Sequence, residues 1–357
     1  MVSGCIFWSF FLTRLLSAFF VHITDCDETY NYWEPVHYLL YGKGFQTWEY
    51  SPHFGLRSYL YLLLHAVPAW IIKEITGFNA TSLFYCIRVM LAAVCAVAET
   101  AMYRSIEIWY EARVARMWLI FQLFSPGMFI SSAAFLPRFL FPIYPLLTLC
   151  AVLCIENIKR IWNCIFNGER DIFQKILLNG TIVIFLLLSL SRIFALYIHY
   201  QAPMKISMVL GEAVSEKNVC IAKEWHRIPG NFFMPKNHHL RFVRSSFNGI
   251  LPAYFDETKK GTALVHNYFN DMNLPSDYML FNLTECDFLI DSDFGEKYRI
   301  HDIEQNYSKD KSTWEIIKSM PFLDSKVSSS FFRAFYVPLI STKYTKFGNF
   351  NLLKRKK

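Results

Sequence analysis

Long apolar runs restrict this chain more than anything else in it. Met1–Phe20 is apolar except for Arg14, and a second run, 58-SYLYLLLHAVPAWII-72, follows an acidic stretch. Four more are 83-LFYCIRVMLAAVCAVAETAMY-103, 117-MWLIFQLFSPGMFISSAAFL-136, 139-FLFPIYPLLTLCAVLCI-155 and 176-ILLNGTIVIFLLLSLSRIFALYI-198. Several approach the ~20 residues that cross a bilayer. With 54% hydrophobic and only 18% charged residues, the composition excludes an ordinary soluble domain. The expected architecture is an α-helical multi-pass membrane protein. Met1–Phe20 has no basic leading segment and no small-residue cleavage site before Thr24, so it reads as a retained first span.

The net charge is +7, yet no basic block occurs before Lys354-Arg355-Lys356-Lys357. That argues against a nucleic-acid partner and makes the tail a solvated end. Nine cysteines include no C-x-x-C pair, and no His/Cys cluster has metal-ligand spacing, so neither a metal nor a cofactor is expected. Cys220 and Cys286 are the only cysteines in the polar C-terminal half. A disulfide between them is an open option if that half faces an oxidising compartment.

Residues 1–200 read as a transmembrane domain carrying an acidic loop at 22–56, and residues 201–357 as a small mixed α/β domain outside the membrane. In the latter, 218-NVCIA-222, 262-TALVHNYF-269, 287-DFLID-291 and 333-RAFYVPLI-340 predict strands. The His238-His239 pair reads as surface. Loop 22–56 holds Asp25, Asp27, Glu28, Glu34 and Glu49 against the single base Lys43, which suits a non-cytoplasmic face. Lys159, Arg160, Arg170 and Lys175 before the last span suit the cytoplasm. The last span then brings 201–357 to the loop's side, where Asn282-Leu-Thr284 and Asn306-Tyr-Ser308 are glycosylation acceptors. Asn79-Ala-Thr81, in an expected cytoplasmic turn, reads as a chance match. This sidedness holds only if Arg116–Ile155 crosses once.

The candidate chemistry lies in 24-TDCDETYNYWEPVHY-38. Read as a short helix, it is capped by Thr24 and stopped near Glu34 by Pro35. Asp27, Asn31 and Glu34 then share one face, and Asp25, Glu28 and Tyr32 another. The acids also suit the positive end of a helix dipole without any function. Trp33, Trp48, Tyr50, Phe45 and Tyr30 crowd the same loop. They offer flat apolar faces for a sugar ring beside acceptors for its hydroxyls, or else an interfacial aromatic belt. Arg192, inside the last apolar run, costs roughly 2.5–3.5 kcal/mol at a helix centre and must face protein or water. It could hold a lipid-linked phosphate or snorkel to the interface, and Arg57 has the same two readings.

Together these residues carry a resemblance. The run 24-TDCDETYNYWEPVHYLLYGKGFQTWEYSPHFGLRSYLYLLLHAVPAW-70 resembles the N-terminal region of glycosyltransferase family 22, and within it the ALG-type alpha-1,2-mannosyltransferases of asparagine-linked glycan assembly. The segments 189-SLSRIFALY-197, 223-KEWHRIP-229, 247-FNGILP-252 and 331-FFRAFYVPLIS-341 resemble the distal region of the same family. The resemblance implies a GT-C architecture in the endoplasmic reticulum membrane, with the active site in the first luminal loop and the C-terminal domain luminal. It implies mannose transfer from dolichyl phosphate mannose to a dolichyl-diphosphate-linked oligosaccharide, with inversion. Inversion in one displacement needs one base for the acceptor hydroxyl. The family's acidic pair falls on Asp27 and Glu28, making Asp27 the expected base and Glu28 its support. Asp25, Asn31, Tyr32, Trp33, Glu34, Trp48, Glu49, Tyr50, Arg57 and Arg192 are the substrate-binding candidates.

The chain departs from the family at one place. A longer membrane region normally separates the part resembling 131-SSAAFLP-137 from that resembling 138-RFLFPIYP-145, so an internal deletion is expected at Pro137/Arg138. A sister reading is a mannosyltransferase of the GPI anchor or one forming alpha-1,6 bonds. A reading of another class, favoured by the missing segment, is a non-catalytic membrane protein that keeps the fold. A transporter is a weaker option, because the charges cluster in a loop rather than within the spans.

Overall fold

The structure is a computed structural model that describes residues 2–135, 141–166, 171–256, 258, 261–295, 303 and 305–356. The expected deletion point at Pro137/Arg138 lies outside the described residues. In chain order the elements are α1 (Val2–Phe20), α2 (Cys26–Glu28), a π-helical turn (Thr29–Trp33), α3 (Glu34–Tyr41), β1 (Phe45–Gln46), α4 (Tyr59–Thr76), α5 (Ala80–Trp109), α6 (Ala112–Phe124), α7 (Pro126–Ser131), α8 (Tyr144–Phe166), α9 (Asp171–Tyr200) and α10 (Ala202–Ser207). There follow β2 (Lys217–Ile221), β3 (His238–Phe242), β4 (Ala253–Tyr254), β5 (Phe288–Asp293), β6 (Trp314–Leu323), α11 (Ser330–Ala334), α12 (Ser341–Tyr344) and β7 (Phe347–Arg355). They form two compact units, one of Met1–Val21, Arg88–Ile198 and Ser329–Tyr344, the other of His22–Ile87, His199–Ser328 and Thr345–Lys357.

The first unit is helical. Among the described residues, three helices are long and apolar enough to cross a membrane: Ala80–Trp109, Phe141–Phe166 and Ile172–Tyr200, with Gly4–Phe20 a shorter apolar helix. The described part of the run 117–136 is not one continuous helix. α6 ends at Phe124, and Ser125, whose hydroxyl accepts from the Met128 N–H at 3.3 Å, caps a new helix that Pro126 starts. Arg14, fully buried, binds Glu99 through both Nε and Nη2, at 2.9 and 2.7 Å, and also donates to the Gln122 carbonyl at 2.9 Å. Gln122 donates to Glu99 at 2.8 Å and accepts from Thr148 at 2.8 Å. One polar network thus joins α1, α5, α6 and α8 where lipid offers no alternative partner. At one end of the unit Arg88 donates to the carbonyls of Val21 and Ala133, at 2.7 and 3.1 Å. The predicted strand 333–340 is absent: α11 and the turn after it bind α9 through paired Tyr336–Ser191 hydrogen bonds.

The second unit contains a mixed five-stranded sheet in the order β3-β2-β5-β7-β6. β2 runs parallel to β3 and β5, and β7 is antiparallel to β5 and β6. Two predicted strands, at 218–222 and 287–291, are present as β2 and β5, while 262–269 forms a short 3-10 turn and irregular chain. Strand alternation divides the core: Val219 and Ile221 face one cluster with Leu240, Phe350 and Leu352, and Cys220 faces the other with Cys286, Leu289 and Trp314. Cys220 and Cys286 are bonded as a disulfide across 66 residues. Within the basic tail Lys354 and Lys356 are exposed, as expected of a solvated end, but Arg355 closes β7, lies over the Trp314 ring at 4.5 Å and donates to the Cys286 carbonyl at 2.9 Å. His238, expected at the surface, is buried in β3.

The run 58–72, read as a second span, also behaves differently. α4 lies along the loop helix: Tyr32 meets Tyr61 edge-on near one end, and Lys73 donates to the Leu40 carbonyl at 2.8 Å near the other. Asn79 falls in the same compact unit as the acidic loop, and the Thr81 hydroxyl donates to the Phe232 carbonyl at 2.9 Å.

Glu99→Ala strands the buried Arg14 charge and should cost about 3–5 kcal/mol. The double replacement Arg14→Met/Glu99→Leu should cost less than the single one. Thermal unfolding of the purified protein in detergent measures both; a single variant as stable as wild type contradicts the assignment.

Candidate functional site

The loop helix is built around a widened turn. Asp25, rather than Thr24, caps it, its carboxylate accepting from the Asp27 N–H at 2.9 Å. Through Thr29–Trp33 the backbone is π-helical, and the Glu34 N–H reaches back five residues to the Thr29 carbonyl. Pro35 then falls in the first turn of α3, where its missing N–H costs little, and the helix continues to Tyr41. The expected stop at Glu34 does not occur. The wide turn also changes which side chains meet: Trp33 Nε1 donates to Glu28 at 3.0 Å, a five-residue spacing that a 3.6-residue helix does not offer.

The four carboxylates consequently occupy different surroundings. Asp25 is the cap. Glu28 is buried against the Trp33 indole. Glu34 is wholly buried and accepts three hydrogen bonds, from Phe45 N at 2.8 Å, Asn231 N at 2.5 Å and Asn231 Nδ2 at 2.7 Å. Gly230, at φ +90°, makes that approach possible, since a Cβ there would lie 2.2 Å from Glu34 Oε1. Asp27 alone is exposed, with no hydrogen-bond partner for its carboxylate among the described residues.

Asp27 opens onto a cavity of about 200 Å³. Asn31, Trp48 and Glu49 line it from the loop, and Trp225, Phe247, Pro252 and Asn273 from the distal chain. The Trp225 and Phe247 rings meet at 4.3 Å, and Tyr30 stacks on Trp225 while its hydroxyl donates to the Trp225 carbonyl at 2.6 Å. Asn31 is held by the Thr47 hydroxyl at 2.6 Å, and its carbonyl by the Tyr50 hydroxyl at 2.7 Å. Glu49 pairs with Arg57, whose Nη1 donates to the Tyr32 hydroxyl at 3.1 Å.

Among the sequence-predicted residues, Asp27, Asn31, Trp48 and Glu49 meet at this cavity, with Arg57 and Tyr32 behind Glu49. Trp33 packs at 4.2 Å on Phe84 in the interior, and Tyr50 and Glu34 are buried supports. Arg192 belongs to the other unit and donates to the Ala334 carbonyl at 3.1 Å. Reasoning from residues gave no chemistry to Trp225 or Phe247; the only signal was that they sit in KEWHRIP and FNGILP. Among the described residues, the donor atoms of Asp25, Cys26 and Asp27 lie within 4.8 Å of one another and could gather a cation, but one Asp25 oxygen already serves as the helix cap.

A solvent-open carboxylate between two tryptophans, beside an acid–arginine pair, is the equipment of a carbohydrate-processing site. Comparison with known sequences narrows this. The family model described as the Alg9-like mannosyltransferase family matches residues 5–137 and 137–235. The chain is 32% identical to the alpha-1,2-mannosyltransferase Alg9 of Drosophila melanogaster, with 98% of this chain and 87% of that protein covered. It is 27% identical to ALG9 of Homo sapiens over 96% and 87%. The GPI mannosyltransferase 3 of Candida albicans matches only 32% of this chain, at 28% identity. No solved structure matches. The chain belongs to the Alg9-like mannosyltransferase family, and so to the glycosyltransferases. The match divides at residue 137, and the alignment with the fly protein runs over 547 positions, 190 more than the chain's 357 residues. A segment of the relatives therefore has no counterpart here.

Burial raises the Glu34 carboxyl to about 7; the Asn231 and Phe45 N–H groups and the Lys43 charge oppose this without cancelling it. The folded protein thus holds this proton more tightly than the unfolded chain, whose value is near 4.5. The stabilisation is fully present below about 4.5 and is lost as pH rises through about 7. The unfolding temperature should fall across that window, and Glu34→Gln should remove this part of the slope. An unchanged slope in the variant places the titration elsewhere.

Proposed function

We propose that this chain transfers mannose from dolichyl phosphate mannose to a dolichyl-diphosphate-linked oligosaccharide in alpha-1,2 linkage, in assembly of the N-glycan precursor at the endoplasmic reticulum. The observation that carries this is Asp27, an exposed carboxylate at an aromatic-walled cavity in a chain of this family. As base, Asp27 takes the proton of the acceptor hydroxyl while its oxygen attacks the anomeric carbon and the carbon–oxygen bond to the lipid phosphate breaks. Attack opposite the leaving group inverts the centre. Trp48 and Trp225 supply ring faces for the sugar. Arg57, steadied by Glu49 and Tyr32, is the better placed cation for the departing phosphate, with Arg192 as the other candidate. Glu28 supports Asp27 from behind.

The membrane arrangement follows as part of the same reading. We take α1, α5, the pair α6–α7, α8 and α9 as five crossings. α4 lies in the interface instead, exposing Leu60, Leu64, Val67, Ile71 and Ile75 along one face at helical spacing. The loop 22–56 and the distal domain of residues 201–357 then face the lumen. The Cys220–Cys286 disulfide supports an oxidising side. Such an arrangement hangs both lipid-borne substrates beside the carboxylates. The absent segment favours a second reading, a family member that keeps the fold without the activity.

The test is rescue of cells lacking the mannosyltransferase, reading the lipid-linked oligosaccharides. Wild type should restore the longer mannose chains, and Asp27→Asn should lower transfer by about 10²-fold or more at equal expression. Expressed wild type that restores nothing sinks the catalytic reading. For sidedness, exposed Asn282 should carry a glycan, whereas Asn306 is buried and donates to Asp293 at 2.8 Å. Asn282→Gln should remove an endoglycosidase-sensitive mobility shift and Asn306→Gln should not; a lumenal domain is contradicted if Asn282 stays unmodified in cells.

A further inference from the structure

A second cavity, of about 260 Å³, lies in the same unit as the Asp27 pocket and shares Pro252 with it as wall. The two are separated by an aromatic partition. Tyr30, on the Asp27 side, meets Phe45 and Phe242 edge-on at 6.0 and 6.1 Å, and both of those rings line the second cavity. Its other walls have a distinct character. Tyr268 and Tyr278 lie nearly parallel, 16° apart with ring centres at 6.2 Å, and Tyr278 is 86% exposed. His266 stacks on Tyr268 at 5.2 Å, fixed by the Tyr254 carbonyl at 3.0 Å and the Tyr268 hydroxyl at 3.1 Å.

Arg241 supplies the polar group. Its guanidinium lies over Tyr254 at 5.7 Å and Phe281 at 5.1 Å, and Nε donates to Asn218 at 3.3 Å. No carboxylate pairs with it among the described residues, so both Nη groups keep their donors. A planar donor array beside stacked phenol rings, with no anion to satisfy it, fits a neutral ligand rich in hydroxyls and flat C–H faces. An aliphatic ligand would leave the guanidinium unsatisfied. A charged phosphate ligand would find only one cation.

We propose that the cavity bounded by Arg241, Tyr254, Tyr268 and Tyr278 is a second sugar-binding subsite, holding mannose units of the acceptor remote from the one that reacts at Asp27. This rests on the mannosyltransferase reading above. The shared wall gives the subsite its purpose: a chain of sugars entering the Asp27 pocket has a neighbouring surface to lean on. Affinity gained there adds to acceptor selection without touching the reacting bond, which makes these side chains positioning residues.

The test uses the full chain, purified in detergent, titrated with a free high-mannose oligosaccharide and read by saturation-transfer NMR. Wild type should bind. Tyr268→Ala/Tyr278→Ala should weaken binding roughly 10-fold, the worth of two ring contacts, while Tyr268→Phe/Tyr278→Phe keeps the rings and should bind nearly as wild type. In parallel, mannose transfer to a dolichyl-diphosphate-linked oligosaccharide is measured in microsomes from the rescued cells, where the alanine pair should raise the acceptor KM by a similar factor. The subsite is overturned if wild type fails to bind the glycan or if the alanine pair binds as well as wild type. Tyrosine-dependent binding with no transfer by any variant upholds the subsite and sinks the catalytic reading instead. Transfer with an acceptor KM indifferent to the tyrosines does the reverse.

Discussion

A wholly buried carboxylate is costly unless hydrogen bonds replace its water, and Glu34 is given three from residues distant in sequence. Phe45 donates from β1, and Asn231 donates twice from a turn nearly two hundred positions along the chain. Neither segment can withdraw without leaving the carboxyl group unpaired in an apolar interior. The strand pair β1–β4 repeats the same link, with Phe45 opposite Tyr254. Loop and distal chain are thus one folded body, and a cavity whose walls come from both has fixed walls. Pre-set walls matter where a sugar ring must be held at one angle to a base.

The same turn of chain explains how four neighbouring acids avoid doing one job. The π-helical turn rotates Glu28 inward to the Trp33 indole and Glu34 inward to Asn231, while Asp25 is consumed as a cap. Asp27 is what remains facing water. A regular helix would have set Asp27, Asn31 and Glu34 on one face, and the buried acid would then have competed with the free one for the same ligand. Environment rather than residue type separates the roles, as it does wherever paired carboxylates divide acid and base duties.

Much of this was legible in the residues alone. The apolar runs announced a membrane protein, the crowded acids and aromatics marked the loop, and β2 and β5 were visible as β-branched stretches flanked by turns. What failed failed for physical reasons. A π-turn carries no composition signal, and Pro35 reads as a stop unless the widening before it is known. Run 58–72 is as apolar as a span, and only its contacts with Tyr32 and Leu40 lay it along the loop. β6 and β7 were missed because exposed polar positions, and in β7 a basic end, obscured their alternation. Two expectations about the spans change together in the proposed arrangement: α4 lies in the interface instead of crossing, and Arg116–Ile155 is divided among α6, α7 and α8. The inferred parity of crossings is unchanged, so the sidedness argued from charge stays consistent.

The break in the family match can be set against this division of labour. It falls at residue 137, inside the stretch Arg88–Ile198 that belongs to the helical unit. Every wall of the Asp27 cavity lies between Cys26 and Glu49 or between Trp225 and Asn273, all in the other unit. The residues that would touch the sugars are therefore retained, together with Glu34 and Asn231, which hold them. The segment without a counterpart falls instead in the unit that carries the long apolar helices. On the reading proposed above, the loss at residue 137 therefore bears on the apolar helices and leaves the walls of the Asp27 cavity complete.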